Sequence, residues 1–209
     1  MRAIPALTTF FLMFIFDIGG YAQTYLKVQH HYFYYDGEIA PRVTISSWHK
    51  VTPKFYLSTY YYVNPTWSQG LIGFDYSPDP NFMIGFKAGI QSESNTNSKK
   101  DILRLSPFIY YRHHDIIFAA IYETGGIQDR SIALFDYNFE NYGTAGLMFL
   151  KKGNFLAIGP RTDMKIPKLP IYIYVSALVN NDGKFASMSG IYTRLTSDRS
   201  SHAKKYGLD

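Results

Sequence analysis

Ser47 and His49 are the one pair whose types and spacing could support nucleophilic chemistry. At i and i+2 of an extended segment they share a face, with Ser46 and Trp48 opposite, so a hydroxyl and an imidazole base stand within reach of each other. The pair is a weak catalytic candidate, because a serine and a histidine at this spacing are common by chance. His30-His31 and His113-His114 suggest metal ligation at first sight. Neighbouring residues on a strand face opposite ways, however, so each pair offers at most one ligand per side, and no carboxylate cluster completes a site. Gly125-Gly126 and Asn181-Asp182-Gly183 sit between extended segments as hairpin turns, with no following helix to bind a phosphate. The expectation is therefore no metal and no cofactor.

A second set of residues could do chemistry of another kind. Asp75, Lys87, Arg104, Arg112, Glu123, Arg161, Asp163, Lys165 and Arg194 all fall on the polar side of segments that alternate apolar with polar. Three are acidic and six basic. If these sides enclose water, the basic excess attracts anions passing through. The bland alternative is that the charges pair with one another and simply fill the space. On the functional reading, Arg104, Arg112, Arg161 and Arg194 matter more than any loop residue.

The elements that must position these residues are strands. From Leu156 to Ile166, Leu156, Ile158, Pro160, Thr162, Met164 and Ile166 face one way, while Ala157, Gly159, Arg161, Asp163 and Lys165 face the other. The same period recurs over 82–91 and 103–112. The pattern predicts an all-β chain of about twelve antiparallel strands, near 24–35, 42–49, 54–63, 68–77, 82–92, 102–112, 115–124, 130–139, 142–151, 154–166, 171–180 and 184–195. All but 42–49 are long enough for the roughly nine to eleven residues of a tilted spanning strand. Pro107 and Pro160 lie inside two of them, each deleting a ladder donor, so bulges or strand ends are expected there, and ten strands is the alternative. Pro53, Pro78, Pro80 and Pro167 fall at expected turns. Odd-numbered connections should be the longer ones, namely 36–42, 64–69, 93–101 and 124–130, although the ninth, near 151–154, is short.

The start of the chain points to export. Met1-Arg2, an apolar run over residues 3–16 and Gly20-Tyr21-Ala22 have the layout of a removable signal, with Gln23 as the mature start. About fourteen apolar residues fall short of the roughly twenty that a spanning helix needs. Residues 1–22 contain one basic and one acidic residue, so the mature chain keeps the net charge of +5. These charges are dispersed, which argues against a nucleic-acid surface. The chain has no cysteine, excluding disulfides and thiolate metal sites, so it must hold together by burial and backbone hydrogen bonding. Its 19 tyrosines suit the interfacial girdles of a barrel in lipid.

Through the Gly20-Tyr21-Ala22-Gln23 cleavage region and the alternating hairpins that follow, the chain resembles the outer-membrane β-barrel proteins of Gram-negative bacteria. The resemblance is to the broad class. It implies an antiparallel up-and-down transmembrane β-barrel in the outer membrane, surrounded by lipid and inserted by the barrel assembly machinery, with small anionic solutes as candidate cargo. The expected organisation is a signal peptide over 1–22, the barrel over 23–196 and a polar tail over 197–209. Barrels of the class often end on a terminal aromatic, whereas here the last segment carries Tyr192 and Leu195 ahead of the tail. The leading functional expectation is a small pore or solute-binding channel that prefers anions weakly. The alternatives are an outer-membrane lipid hydrolase, which would need Ser47 and His49, and a plugged barrel that binds a partner through residues 93–101. An inside-out arrangement in a soluble barrel is the remaining possibility for the fold, since alternation alone does not say which face is inside.

Overall fold

Period-two alternation over this length leaves each strand with one apolar and one polar face, and closing the sheet on itself satisfies both edges. In the computed structural model, which describes residues 23–93, 101–125 and 128–197, the strands are β1 (Thr24–Tyr35), β2 (Glu38–Lys50), β3 (Phe55–Val63), β4 (Trp67–Asp79), β5 (Phe82–Glu93), β6 (Asp101–His113), β7 (Ile116–Glu123), β8 (Arg130–Asn138), β9 (Gly143–Lys152), β10 (Phe155–Lys165), β11 (Ile171–Asn180) and β12 (Phe185–Ser197). Each pairs antiparallel with its sequence neighbours, and β1 pairs with β12 to close the barrel. All twelve expected strands are present. The proposed signal, most of the 93–101 connection and nearly all of the proposed tail lie outside the described residues.

Which face is inside follows from exposure. Ile72, Phe74, Phe86, Ile90, Leu103, Leu147, Ile158 and Ile191 point outward, and Phe74 is 67% exposed, whereas Asp75 beside it is fully buried. Polar groups inside and an apolar belt outside is the arrangement suited to lipid, and the inverse of a soluble barrel.

Three details differ from expectation. The first connection is not a loop over 36–42 but a tight turn at Asp36-Gly37, both with positive φ (53° and 84°), and β2 runs straight through Pro41. Type I′ geometry of this kind matches the twist of the flanking strands. Pro107 and Pro160 produce neither bulges nor strand ends. Pro107 stays paired with Phe86 and Pro160 with Leu147. On their other sides the ladders skip but keep register, with Leu105 bridging Thr124 beyond Pro107 and Arg161 meeting Ser176 beyond Pro160. A strand residue directs its N–H to one neighbour only, so a proline interrupts one ladder. The register shift lies instead at Tyr76/Asp79, around Pro78, which belongs to the end of β4 and not to a turn.

Candidate solute pathway in the barrel lumen

Register carries the inward set from strand to strand. Lys27, Gln29, His31, Phe33 and Tyr35 of β1 face inward with Ser46, Thr44, Arg42 and Ala40 of β2, and the parity persists around the barrel. They enclose a cavity of about 830 Å³.

The inward carboxylates are held by bases. Lys87 Nζ lies 3.2 Å from Asp75 Oδ1, Arg130 Nη2 lies 2.6 Å from Glu123 Oε1, and Arg161 bridges Asp163 and Asp136, the latter at 3.5 Å. Asp163 also accepts from the Tyr192 hydroxyl at 3.2 Å. Arg130 donates to the Tyr60 hydroxyl at 3.1 Å, and Gln69 Nε2 donates to Glu123 at 3.3 Å. These last bonds cross the interior from β7 and β8 to β3 and β4, so a polar bridge spans the lumen. Arg104 sits in the wall, with Nε donating to Gln91 Oε1 at 2.6 Å and Nη1 to the Gln128 carbonyl at 2.9 Å.

Lys27 and Arg42 both face inward and lie in no salt bridge among the described residues. The Lys27 ammonium sits 4.2 Å from the centroid of the Tyr192 ring, and the Arg42 guanidinium 4.3 Å from that of Phe33. Both line the cavity. The walls also differ in kind: Ile132, Leu134, Met148, Leu150, Phe155 and Met188 form an apolar side on β8–β10 and β12, facing Thr44, Ser46, Tyr60 and Tyr62 of β2 and β3.

No protein-family model matches the sequence, and neither does any curated protein. Solved structures do match. The KdgM porin, in a structure with disordered oligogalacturonate, superposes with a TM-score of 0.62 at 17% identity, covering 80% of this chain and 98% of that one. The KdgM porin without that ligand gives 0.59 at 16% identity over the same shares. A membrane protein from work on in-meso crystallization gives 0.58 at 11% identity, covering 85% and 84%. The fold is that of an outer-membrane porin.

Every lumen residue read from the sequence faces inward, but the structure sorts them into three places. Lys87, Glu123, Arg161 and Asp163 line the cavity. Asp75 and Arg104 are packed into the wall. Arg112, Lys165 and Arg194 stand at the end that carries both termini, where Arg112 donates to the His114 carbonyl at 2.9 Å and Arg194 stacks over Tyr172 and Tyr192. His31, which the sequence places at the interface or in the lumen, lines the cavity, whereas Lys27, Arg42, Arg130 and Asp136 were missed. Arg42 and Arg130 fall at the edges of the expected strands, where facing is hardest to read. Lys27 lies in TYLKVQHHYFYY, whose aromatics occupy both faces and blur the alternation.

Ser47 and His49 are on the outward face. The Ser47 hydroxyl bonds the Thr59 hydroxyl at 2.7 Å, and His49 Nδ1 bonds the Thr24 hydroxyl at 2.9 Å, so each is engaged elsewhere and not with the other. His30 and His31 face opposite ways, as their adjacency requires, and the His113 and His114 rings meet edge to face at the β6–β7 turn.

Proposed function

We propose that this protein is a passive outer-membrane channel for small solutes, with a lumen that favours anions. One observation carries the reading. Asp75, Glu123, Asp136 and Asp163 are paired with Lys87, Arg130 and Arg161, three cations for four carboxylates, while Lys27 and Arg42 add two positive charges to the cavity without a carboxylate partner among the described residues. Fixed positive charge in a narrow, partly desolvated passage raises the local concentration of anions and repels cations. This reading takes residues 1–22 as an export signal and 197–209 as a polar tail that follows the barrel in sequence.

The likeness to a porin structure that includes oligogalacturonate agrees with an anionic cargo. The barrel reaches its membrane through the assembly machinery and is surrounded by lipid.

Reconstitution into a planar bilayer under a potassium chloride gradient tests the proposal. The expected reversal potential shows chloride permeating more readily than potassium, and the double variant Lys27→Glu/Arg42→Glu reverses that preference. A bilayer that stays silent, or a cation preference in the unaltered protein, would overturn it. A silent bilayer together with a partner retained by residues 93–101 would favour the plugged barrel instead.

A further inference from the structure

A polar lumen is the rule for a membrane barrel, because water fills it. This one departs from the rule on one side. Ile132, Leu134, Met148, Leu150, Phe155 and Met188 present a continuous apolar wall to the cavity, and in the same inward cluster Leu178 and Ala186 are fully buried. Water against such a wall gains nothing from it, whereas an apolar solute that displaces the water does.

At the border of that wall stand polar atoms with unmet hydrogen-bonding capacity. Arg42 lies over the Phe33 ring, and its buried Nε has no hydrogen-bond partner among the described residues. His31, its register partner on β1, is only 5% exposed, and its Nδ1 is likewise unpartnered. The imidazole is wedged over Gly190, where an added Cβ would come within 2.6 Å of His31 Cβ, and it meets the Tyr174 ring edge to face at 6.0 Å. Buried polar atoms are nearly always satisfied, and a cluster that is not marks a place where a ligand atom fits. The neighbouring Arg130 and Arg161 already hold carboxylates, and Lys27 lies over the Tyr192 ring, so the guanidinium left for a ligand beside His31 is that of Arg42.

We infer that the lumen binds monocarboxylates with an apolar body, the carboxylate at Arg42 and His31 and the hydrocarbon against the wall from Ile132 to Met188. This rests on the anion-accepting lumen proposed above and names its solute class. A polyhydroxylated acid satisfies Arg42 equally well, but its hydroxyls lose water against Ile, Leu and Met side chains that return no hydrogen bond. A cation with the same hydrocarbon meets repulsion from Arg42.

The two tryptophans of the chain, Trp48 and Trp67, both line the cavity, so their fluorescence reports a ligand inside it. Hexanoate and gluconate are six-carbon monoanions that differ in hydroxylation, and hexylammonium inverts the charge. With the whole barrel in detergent, hexanoate is expected to change the fluorescence at a midpoint about tenfold below that of gluconate, the discrimination that burying two methylenes supplies, and hexylammonium to leave it unchanged. Arg42→Gln should raise the hexanoate midpoint at least about fivefold, as loss of a charged hydrogen-bond donor does. Leu134→Gln, on the opposite wall, should raise the hexanoate midpoint and leave that of gluconate in place. It also keeps the test decisive should Arg42→Gln fail to fold, which the mobility of unboiled protein on a gel reveals.

Equal midpoints for hexanoate and gluconate overturn the inference, as does a hexanoate midpoint that both variants leave unmoved. Chloride conductance without hexanoate preference sinks the solute class and leaves the channel standing. Hexanoate binding in a barrel that does not conduct does the reverse.

Discussion

Gly85 shows how one inward position sets the charge pattern beside it. A Cβ there would lie 1.8 Å from Asp75 Oδ1, because the Asp75 side chain lies flat over the glycine and from there meets Lys87. Gly85→Ala must therefore displace the carboxylate and leave the Lys87 ammonium buried without it. Losing one member of a buried pair costs about 3–5 kcal/mol. The expected outcome is a barrel that assembles but converts to the slow-running, unfolded form at a clearly lower temperature on a gel. Asp75→Asn/Lys87→Met, which removes both charges, should recover most of the loss, and failure to recover would mean that the glycine matters for backbone approach alone. The pairing itself was within reach of the sequence, since Asp75 and Lys87 fall on the polar parity of their strands. What the sequence did not contain was the geometry that leaves Arg42 without a carboxylate while Arg161 has two. That depends on which strands face each other across the lumen, and period-two alternation is silent on distance across a barrel.

The strands were legible because a membrane barrel demands one apolar face per strand over its whole length, a constraint repeated twelve times. The connections were less so. Turn chemistry at Asp36-Gly37 and Asn181-Asp182-Gly183 is visible in the residues, and at the latter Asn180 Oδ1 accepts from the Asp182 and Lys184 amides at 3.0 and 2.7 Å. The β7–β8 connection is held by contacts no local pattern announces. Arg104 of β6 bonds the Gln128 carbonyl, the Gly153 amide bonds the Asp129 carbonyl at 3.0 Å, and the Tyr122 hydroxyl donates to Asp129 Oδ2 at 2.9 Å. The hydrogen bonds from Tyr122 and Thr124 hold the Asp129 carboxyl below the usual carboxylate range. A depressed carboxyl contributes order above its unfolded pKa of about 4 and loses it as pH falls through the lower folded value. Once corrected for intrinsic exchange, which itself slows in acid, hydrogen exchange in a peptide spanning this connection should thus be slow at neutral pH and show an extra acceleration as pH falls. Asp129→Asn should exchange faster at neutral pH and show no such extra acceleration, and Arg104→Gln should exchange faster at every pH. An Asp129→Asn profile that matches the unaltered protein would mean the tether lies elsewhere.

The molecule as a whole is an inversion of the soluble pattern, and that inversion is what makes the lumen a place where charge can sit. Charged residues on the lipid side are costly in proportion to depth, roughly 2–4 kcal/mol for Arg or Lys at the midplane and near zero at the interface. Phe74 is 67% exposed on the outer face of β4, one residue from fully buried Asp75. Phe74→Arg should therefore cut the folded, heat-modifiable fraction sharply in lipid bilayers, while Ile39→Arg, next to the Asp36-Gly37 turn and 65% exposed, should be nearly neutral despite almost the same exposure. Equal penalties at the two positions would mean that the outer surface meets a uniform medium such as water. A penalty at Phe74 alone, graded through Phe86 and Ile90 toward the open end of β5, would trace the hydrocarbon band around the barrel. The polar bridge from Arg130 and Glu123 to Tyr60 and Gln69 crosses the inside of the barrel as a brace. Arg130→Ala should widen the passage, raising single-channel conductance while the lipid-face penalties stay where they were.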